Sequence, residues 1–433
     1  MLITDLLAAR SQMAISLGFH ILFAATGVAM PFLMATAHWK WLRTGDPVYL
    51  RLTRAWSKGV AILFATGAVS GTVLSFELGL LWPKFMQHAG AIIGMPFSWE
   101  GAAFFLEAIA IGIFLYGWDR IPRWWHWASG LVVGISGLLS ALFVVCANAW
   151  MNSPAGFDWI DGAATHIDPW AAMFNRAALG EGVHMVIASF VATAVAVAGL
   201  HAAGLLKNPQ NPLHRAAFRI ALTFAAIGAI IQPLHGDRLA KEVAVRQPIK
   251  LAAMESLFET SEPASLLIGG IPHEDTRTVT FGIHIPRALS FLAYGNFEAK
   301  VTGLDAVPRE QWPPVAPVHF AFQIMIAVGT LLALYGAIAI GLAWRAPRYL
   351  LHKNFLRCAA LATPLGFIAI EAGWTVTEVG RQPWIIYGVM RTADAVTPMP
   401  GVIYPMIFFT LLYGFLALMV AWLLRRQFRH VRA

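Results

Sequence analysis

Residues 182–206 read GVHMVIASFVATAVAVAGLHAAGLL, and this stretch decides the fold class. It contains no charged side chain, and it exceeds the roughly 20 helical residues that cross the hydrocarbon core of a bilayer. The stretch therefore predicts a transmembrane helix.

Other runs of the same character extend along the chain, so we predict an all-α, polytopic membrane protein with about nine transmembrane helices. The runs lie at about 15–37, 59–82, 98–118, 127–150, 182–206, 216–233, 318–344, 355–374 and 401–424. The first is not expected to be a cleaved signal, because no basic segment leads it. The predicted organisation is spans one to six in 1–233, a long external loop in 234–315, and spans seven to nine with a cytoplasmic tail in 316–433.

The composition excludes most other classes of protein. The chain has 433 residues, of which 58% are hydrophobic and 12% charged, whereas proteins on average carry about 25% charged residues. A single soluble enzyme is therefore ruled out, and 17 Trp and 28 Phe exclude a disordered chain. The two cysteines, Cys146 and Cys358, lie in apolar runs and predict neither a disulfide framework nor a Cys-based metal site.

Lys and Arg are concentrated in the loops after the first, third, fifth and seventh runs and at the C-terminus. Because cytoplasmic loops carry an excess of basic residues, we expect the N-terminus and the long loop outside and the C-terminus in the cytoplasm. The net charge of +8 is therefore a signal of topology, and nucleic-acid binding is not expected.

Ionisable side chains within a bilayer are costly, so each is a candidate for function. In the expected orientation, several candidates from different spans share one depth near the outer surface: His20, Glu100, His184, Met325 and Glu371. Glu107 lies about two turns deeper than Glu100 on the same helix face, and Ser140 lies near the membrane centre. Taken singly, each has an ordinary structural role as a helix–helix contact or a packing residue. Their common depth favours function, whereas Glu77 is expected to be interfacial and hydrated.

Two His, one Met and carboxylates in one dry layer suit a site with several haems. A His/Met pair saturates a low-spin haem iron, whereas a haem that binds dioxygen needs a single axial ligand. One alternative is a proton-coupled transporter, whose substrate site should lie near the bilayer centre between broken, repeated helices. The other is a cofactor-poor scaffold subunit, which would lack the His/Met set.

Short motifs throughout the chain carry a family resemblance. They are Gly18-Phe19-His20, Trp99-Glu100-Gly101, 104–107 FFLE, 148–152 NAWMN, Gly182-Val183-His184, 250–255 KLAAME, 320–325 FAFQIM, 371–374 EAGW and 380–384 GRQPW. Over essentially its whole length the chain resembles the large, haem-bearing subunit of cytochrome bd-type quinol oxidases. The most specific motifs are KLAAME together with GRQPW.

The resemblance implies a terminal respiratory oxidase that oxidises quinol at the outer face and reduces dioxygen to water. It also implies two b-type haems, one low-spin and one high-spin, and a third high-spin haem of d or b type. His184 and Met325 are the implied axial pair of the low-spin haem. His20 and Glu371 are the implied ligands of the high-spin haems, and which residue holds which haem is left open.

The resemblance implies further roles for acidic and loop residues. Glu100, Glu107 and Ser140 would carry cytoplasmic protons to the haems, which generates a proton motive force without pumping. The implied quinol-binding residues are Lys250, Glu255, Arg381 and Trp384. Residues 249–259 are predicted to form a short amphipathic helix, with Arg381 to Trp384 at the outer surface beneath it. The implied setting is the bacterial cytoplasmic (inner) membrane, with a homologous second membrane subunit and a small single-span subunit.

Two features depart from the family pattern. Gln323 stands where the family often has Arg, two residues before the Met ligand, and loss of that cation should lower the potential of the low-spin haem. The external loop is also short. Both features resemble the cyanide-insensitive branch of the family, in which the third haem is of either type.

Overall fold

The structure, a computed structural model, describes residues 4–160 and 162–432, with side chains up to residue 427. Within these ranges nine helical segments are long and apolar enough to cross a membrane, which confirms the predicted fold class. Eight of the nine spans are single helices: α1 (Asp5–Thr44), α2 (Pro47–Leu81), α3 (Pro83–Tyr116), α4 (Arg123–Asn152), α6 (Ala178–Lys207), α7 (Pro212–Arg246), α10 (Val315–Arg345) and α14 (Ile403–Arg432).

The eighth span is divided into α11 (Lys353–Leu361) and α12 (Leu365–Val379). Pro364 separates them, because proline lacks a backbone N–H and its ring clashes with the preceding helical turn. The start of α12 lies directly against α6: a Cβ on Gly366 would stand 2.4 Å from the Cα of Ala192. Only glycine permits such an approach of two backbones. This contact places α12, which carries Glu371, beside α6, which carries His184.

The sixth span extends well past the predicted end at residue 233. Helix α7 continues to Arg246 because its last turns are held by ion pairs between residues four apart. Arg246 Nη2 lies 2.8 Å from Glu242 Oε2, and Lys241 Nζ lies 2.6 Å from Asp237 Oδ2. A pattern of apolar residues alone cannot predict that a helix continues beyond the apolar segment when its last turns carry charged side chains.

Short elements fill the loops that follow α4, α7 and α12. The first loop contains β1 (Asp158–Ile160), β2 (Ala163–Thr165) and α5 (Pro169–Met173); the long loop contains α8 (Pro248–Met254), β3 (Leu266–His273), β4 (Thr278–Ile285) and α9 (Ala288–Tyr294); the last contains β5 (Trp384–Ile386), β6 (Met390–Arg391) and α13 (Thr392–Ala395). Each strand pair is antiparallel, and in the long loop Leu267 pairs with His284 and Ile271 with Thr280. Single 3₁₀ turns lie at Leu304–Ala306, Arg309–Gln311 and Pro347–Leu351.

Apolar side chains cover the outward faces of the spans as well as the contacts between helices. Leu411 and Leu418 in α14 are 69% and 74% exposed, as expected where a bilayer replaces water around the protein. Inside the bundle, α1 packs against α2, α4 and α6. The bundle therefore surrounds α1, which carries His20, and leaves a cavity beside it.

Candidate active site

One large cavity runs through the bundle and up to the long loop. Its volume is about 1340 Å³, and α1 to α4, α6, α7, α10, α12, α8 and β3 contribute to its wall. Most of the predicted site residues line it: His20, Glu100, Glu107, Ser140, His184, Lys250, Glu255, Met325 and Arg381. Glu371 and Trp384 do not line it, although Ile370 and Gly373 beside Glu371 do. Apart from Glu371 and Trp384, the structure thus brings the predicted haem, proton and quinol residues to one continuous space.

His20 is oriented by a hydroxyl that the sequence did not reveal. Its Nδ1 lies 3.0 Å from Ser70 Oγ, and Ser70 Oγ donates its own proton to the carbonyl of Thr66 at 2.9 Å. Ser70 therefore accepts from Nδ1–H, which leaves a lone pair on Nε2. A metal-binding histidine is held in this way, with one nitrogen donating and the other free for the metal. The ring also packs against Gly71, where a Cβ would lie 2.9 Å from Cε1.

His184 and Met325 lie in the cavity wall on α6 and α10. The Nδ1 atom of His184 is buried without a hydrogen-bond partner among the described residues, and its Nε2 lies 3.0 Å from Nε2 of Gln232. Met325 approaches α12 closely, because a Cβ on Gly373 would stand 3.2 Å from Sδ. A Cβ on Gly236 would stand 3.4 Å from Cε1 of His184, so a glycine lies against each of the two side chains.

Glu371 points from α12 towards α1. A Cβ on Gly18 would lie 3.2 Å from Glu371 Oε2, and Gly18 is two residues before His20. Its other oxygen, Oε1, is buried with no hydrogen-bond partner in the described part of the chain. A buried carboxylate oxygen without a partner is costly unless a ligand or a proton satisfies it. Glu371 therefore fits a residue that binds a group absent from the polypeptide itself.

The carboxylates of α3 face serine and glycine on α4. Ser140 Oγ donates to Glu100 Oε1 at 3.4 Å. Glu107 is buried against α4, where a Cβ on Gly137 would lie 3.3 Å from either carboxylate oxygen. Of the two acids, Glu100 is therefore the one that Ser140 contacts directly, while Glu107 faces Gly137. Glu77, in contrast, was expected to be hydrated but is only 1% exposed, because it packs inside the bundle and accepts a hydrogen bond from Gln12 at 2.9 Å.

A polar cluster centred on Asn152 closes the end of the cavity next to the long loop. Lys250 Nζ donates to Asn152 Oδ1 at 3.0 Å, and Arg381 Nη1 donates to the same oxygen at 3.3 Å. Asn152 Nδ2 donates to Glu181 Oε2 at 3.3 Å, and Arg381 Nη2 pairs with Glu378 Oε2 at 2.5 Å. Arg381 is 2% exposed, so it lies inside the protein and not at the surface as predicted. The cluster balances two buried cations with two carboxylates.

The segment around Lys250 and Glu255 differs from its prediction. Helix α8 ends at Met254, and every residue of Ile249–Met254 is buried, so the helix is not amphipathic. Lys250 and Glu255 are 4% and 5% exposed, which excludes solvated loop charges. The reason is tertiary: α10 and the rest of the long loop cover α8 on the sides that a sequence pattern assigns to water.

Burial also shifts the pKa values of Glu255 and Lys250. Burial raises the pKa of Glu255 to about 7, although a hydrogen bond from the backbone of Leu267 opposes the rise. Burial lowers the pKa of Lys250, and the carboxylate of Glu181 opposes that effect. The Oε2 atom of Glu255 has no hydrogen-bond partner among the described residues. A carboxylate that titrates near neutral pH and has a free oxygen can accept a proton from a ligand.

Some residues that contact the candidate site were not predicted from the sequence. Glu181, Glu378, Ser70 and Gln232 were not singled out, and Asn152 was noted only as part of a motif. Glu181 gave a detectable signal, because it is a charged residue one turn before His184 at the start of a long apolar run. Trp384 lies in β5 and does not itself line the cavity, and the guanidinium carbon of Arg391 lies 5.6 Å from the centre of its ring. Its backbone N–H donates to the carbonyl oxygen of Arg381 at 3.1 Å, so it is joined to one predicted quinol residue of the cavity wall.

The donor set fits haem better than a bare metal ion. No group of three or more His, Cys, Asp or Glu that could hold a metal ion is found in the described ranges. A haem brings its own four nitrogen ligands and needs only one or two from the protein. Separate His, Met and Glu side chains around a large apolar cavity meet that requirement.

Comparisons with known proteins agree with this geometry. The family profile described as cytochrome bd terminal oxidase subunit I matches residues 8–432. A Bacillus subtilis (strain 168) relative named cytochrome bd menaquinol oxidase subunit I is 36% identical, with 98% of this chain and 97% of the relative covered. Cytochrome bd ubiquinol oxidase subunit 1 of the same strain is 30% identical over 98% and 94% of the two chains. The solved bd oxidase of Geobacillus thermodenitrificans has a TM-score of 0.93 and 38% identity over 99% of both chains.

Proposed function

Since this chain belongs to the cytochrome bd terminal oxidase subunit I family, it is a catalytic subunit of a quinol:oxygen oxidoreductase in a membrane, and we propose that the large cavity described above carries the whole reaction. The observation that carries the proposal is the continuity of this cavity. It reaches from Lys250 and Glu255 in the long loop to Glu107 inside the bundle. Quinol oxidation and dioxygen reduction would thus occur at two ends of one space.

The family carries haem, whose iron supplies one-electron transfer and dioxygen binding. We assign the low-spin b haem to His184 and Met325. His20 and Glu371 would each hold one high-spin haem, one of b type and one of d or b type. Support comes from the free lone pair on His20 Nε2, the unpartnered Oε1 of Glu371 and the glycines that face these side chains.

Lys250 and Glu255 are proposed to bind quinol at the outer end. A quinol headgroup releases two electrons and two protons when it becomes quinone, so at least one nearby group must accept protons. Glu255 suits this role, because its Oε2 is free and its pKa is near neutrality. Lys250 and Arg381 are fixed by Asn152 and supply positive charge and hydrogen-bond donors next to it.

Protons for water formation are proposed to come from the opposite side. Glu107 lies deeper in the bundle than Glu100, and Ser140 bonds to Glu100. A route through Ser140 and Glu107 to Glu100 would carry protons from the cytoplasmic side. With quinol protons released outside, each turnover moves charge across the membrane without a pump. This orientation places the N-terminus outside and the C-terminus in the cytoplasm.

The setting is proposed to be the inner membrane of a bacterium. A homologous second membrane subunit, and a small single-span subunit, would cover part of the apolar outer surface. Neither a transporter nor a cofactor-poor scaffold is favoured, because the family and the site geometry both point to a catalytic subunit.

A matched pair of loop variants tests the quinol assignment. Glu255→Gln removes the buried titratable group, whereas Glu259→Gln changes an exposed carboxylate four residues later. We expect the first to lower quinol-driven oxygen consumption at least tenfold and to leave the haem absorption spectrum and oxygen reduction with an artificial electron donor intact. The second should match the parent. If Glu255→Gln oxidises quinol at the parental rate, the quinol site lies elsewhere.

A further inference from the structure

His319, in the first turns of α10, joins two parts of the long loop. The side chain is fully buried, and both of its ring nitrogens face backbone carbonyls. Nδ1 lies 2.8 Å from the carbonyl oxygen of Met254, and Nε2 lies 3.0 Å from that of Gly269. A neutral ring can donate to one of these carbonyls, and a ring with both protons donates to both. One side chain of a membrane span therefore ties the end of α8 to β3.

Gln323, one turn further along α10, binds the same strand. Its Nε2 donates to the carbonyl oxygen of Leu267 at 3.1 Å, and its Oε1 accepts from the backbone N–H of Gly269 at 3.1 Å. Both polar ends of the amide are thus used on β3. An arginine at this position would have donors only and could not accept from Gly269.

These contacts meet at Glu255. Glu255 directly follows Met254, and the carbonyl of Met254 contacts His319. The carboxylate of Glu255 accepts a hydrogen bond from the backbone of Leu267. The carbonyl of Leu267 in turn contacts Gln323. The backbone on both sides of this carboxylate is therefore fixed to α10. Its free oxygen, Oε2, remains at the cavity.

We propose that His319 and Gln323 are positioning residues for quinol oxidation. They act through Met254 and Leu267 to hold the Glu255 carboxylate where it accepts the quinol proton. This inference rests on the quinol-binding role of Glu255 proposed above. Since small displacements of a reacting group cause large losses of rate or affinity, loosening either contact should weaken quinol use without disturbing the haems.

The test uses the full oxidase and a short-chain benzoquinol and naphthoquinol as probes. His319→Phe keeps a flat ring and removes both nitrogen contacts, and Gln323→Leu removes the amide. His319→Gln restores a donor, and His273→Phe makes the same ring exchange at an exposed position of β3. We expect an apparent KM for quinol about tenfold higher in His319→Phe and Gln323→Leu, a smaller rise in His319→Gln, and the parental value in His273→Phe. Haem content and the reduced absorption spectrum should remain parental in all four variants.

The possible results distinguish the positioning role of His319 and Gln323 from the quinol-binding role of Glu255. A parental KM in both His319→Phe and Gln323→Leu, with an impaired Glu255→Gln enzyme, would overturn the positioning role and leave the quinol site in place. A parental Glu255→Gln enzyme would overturn both. Loss of haem in both His319→Phe and Gln323→Leu would show that the two residues support the fold and not the quinol site, which also overturns the inference. If one of these two variants fails to assemble, the apparent KM for quinol of the other tests the positioning role.

Discussion

Lys250 and Arg381 donate hydrogen bonds to the same atom, the side-chain oxygen of Asn152, at 3.0 Å and 3.3 Å. The three residues come from the long loop, from the segment after the eighth span and from the end of α4. Gln247 Nε2 adds a bond to the backbone oxygen of Asn152 at 3.1 Å. The end of the cavity next to the long loop is therefore assembled around one neutral side chain, whose oxygen accepts from two buried cations.

Replacement of Asn152 should destabilise this end of the cavity and weaken quinol binding. Asn152→Leu leaves the donors of Lys250 and Arg381 without their shared acceptor, at a cost of about 1–3 kcal/mol for each unsatisfied group. We expect a lower midpoint of thermal unfolding and a higher KM for quinol. The exposed Asn354→Leu serves as the control and should match the parent in both measurements. Equal midpoints and equal KM values in the two variants would contradict the central role of Asn152.

The pH dependence of quinol oxidation should follow Glu255. Its pKa is raised to about 7 by burial, so below that pH the carboxyl is mostly protonated and cannot accept a proton from quinol. We expect kcat/KM to rise between pH 6 and pH 8 with a midpoint near 7. Burial lowers the pKa of Lys250. We therefore expect kcat/KM to fall again at high pH, at a pH lower than the pKa of an exposed lysine. In Glu255→Gln, kcat/KM should no longer rise between pH 6 and pH 8. If the rise persists in this variant, another group is responsible for it.

The proton route makes a prediction about Glu107. Glu107→Gln keeps the shape of the side chain and removes its proton-carrying capacity, so oxygen consumption should fall about 100-fold. The low-spin haem spectrum should be unchanged. Glu77→Gln is the matched control, since Glu77 is also a buried carboxylate within a span but does not line the cavity. Normal turnover with a normal membrane potential in Glu107→Gln would remove this residue from the route.

The hydroxyl of Ser70 should matter for haem retention at His20. Ser70→Ala removes the acceptor for Nδ1–H, so the ring loses the contact that fixes its tautomer and orientation. Loss of such a contact weakens metal binding about 10- to 100-fold, so one high-spin haem should dissociate during detergent purification. Thr410→Ala, which removes an exposed hydroxyl from α14, should retain all haem. Full haem content in purified Ser70→Ala would show that the contact is dispensable.

The sequence predicted the spans well because a helix that crosses a bilayer must be apolar along its whole length. The common depth of His20, Glu100, His184 and Met325 followed from span order alone, and the structure places all four on one cavity. The placement of these four residues on one cavity was therefore predictable from position along the helix and from chemistry, whereas that of Glu77 was not.

The loop residues were less predictable, because their environment depends on tertiary contacts. Lys250 and Glu255 are buried by α10 and the remainder of the loop, which no local pattern reveals. The resemblance placed Arg381 at the outer surface, but Asn152 and Glu378 satisfy its guanidinium inside the protein. Glu77 was misplaced for the same reason, since its partner Gln12 lies in another helix.

Haem content per chain, together with the reduced absorption spectrum, tests most directly whether His20, His184 and Met325 in the cavity wall and Glu371 beside it hold the haems. His184→Ala should remove the low-spin b signal, and Met325→Leu should remove it or lower its potential. His20→Ala and Glu371→Ala should each lose one high-spin haem. If all four purified variants keep the parental haem content, spectrum and redox titration, these residues are not the ligands and the account of the cavity is wrong.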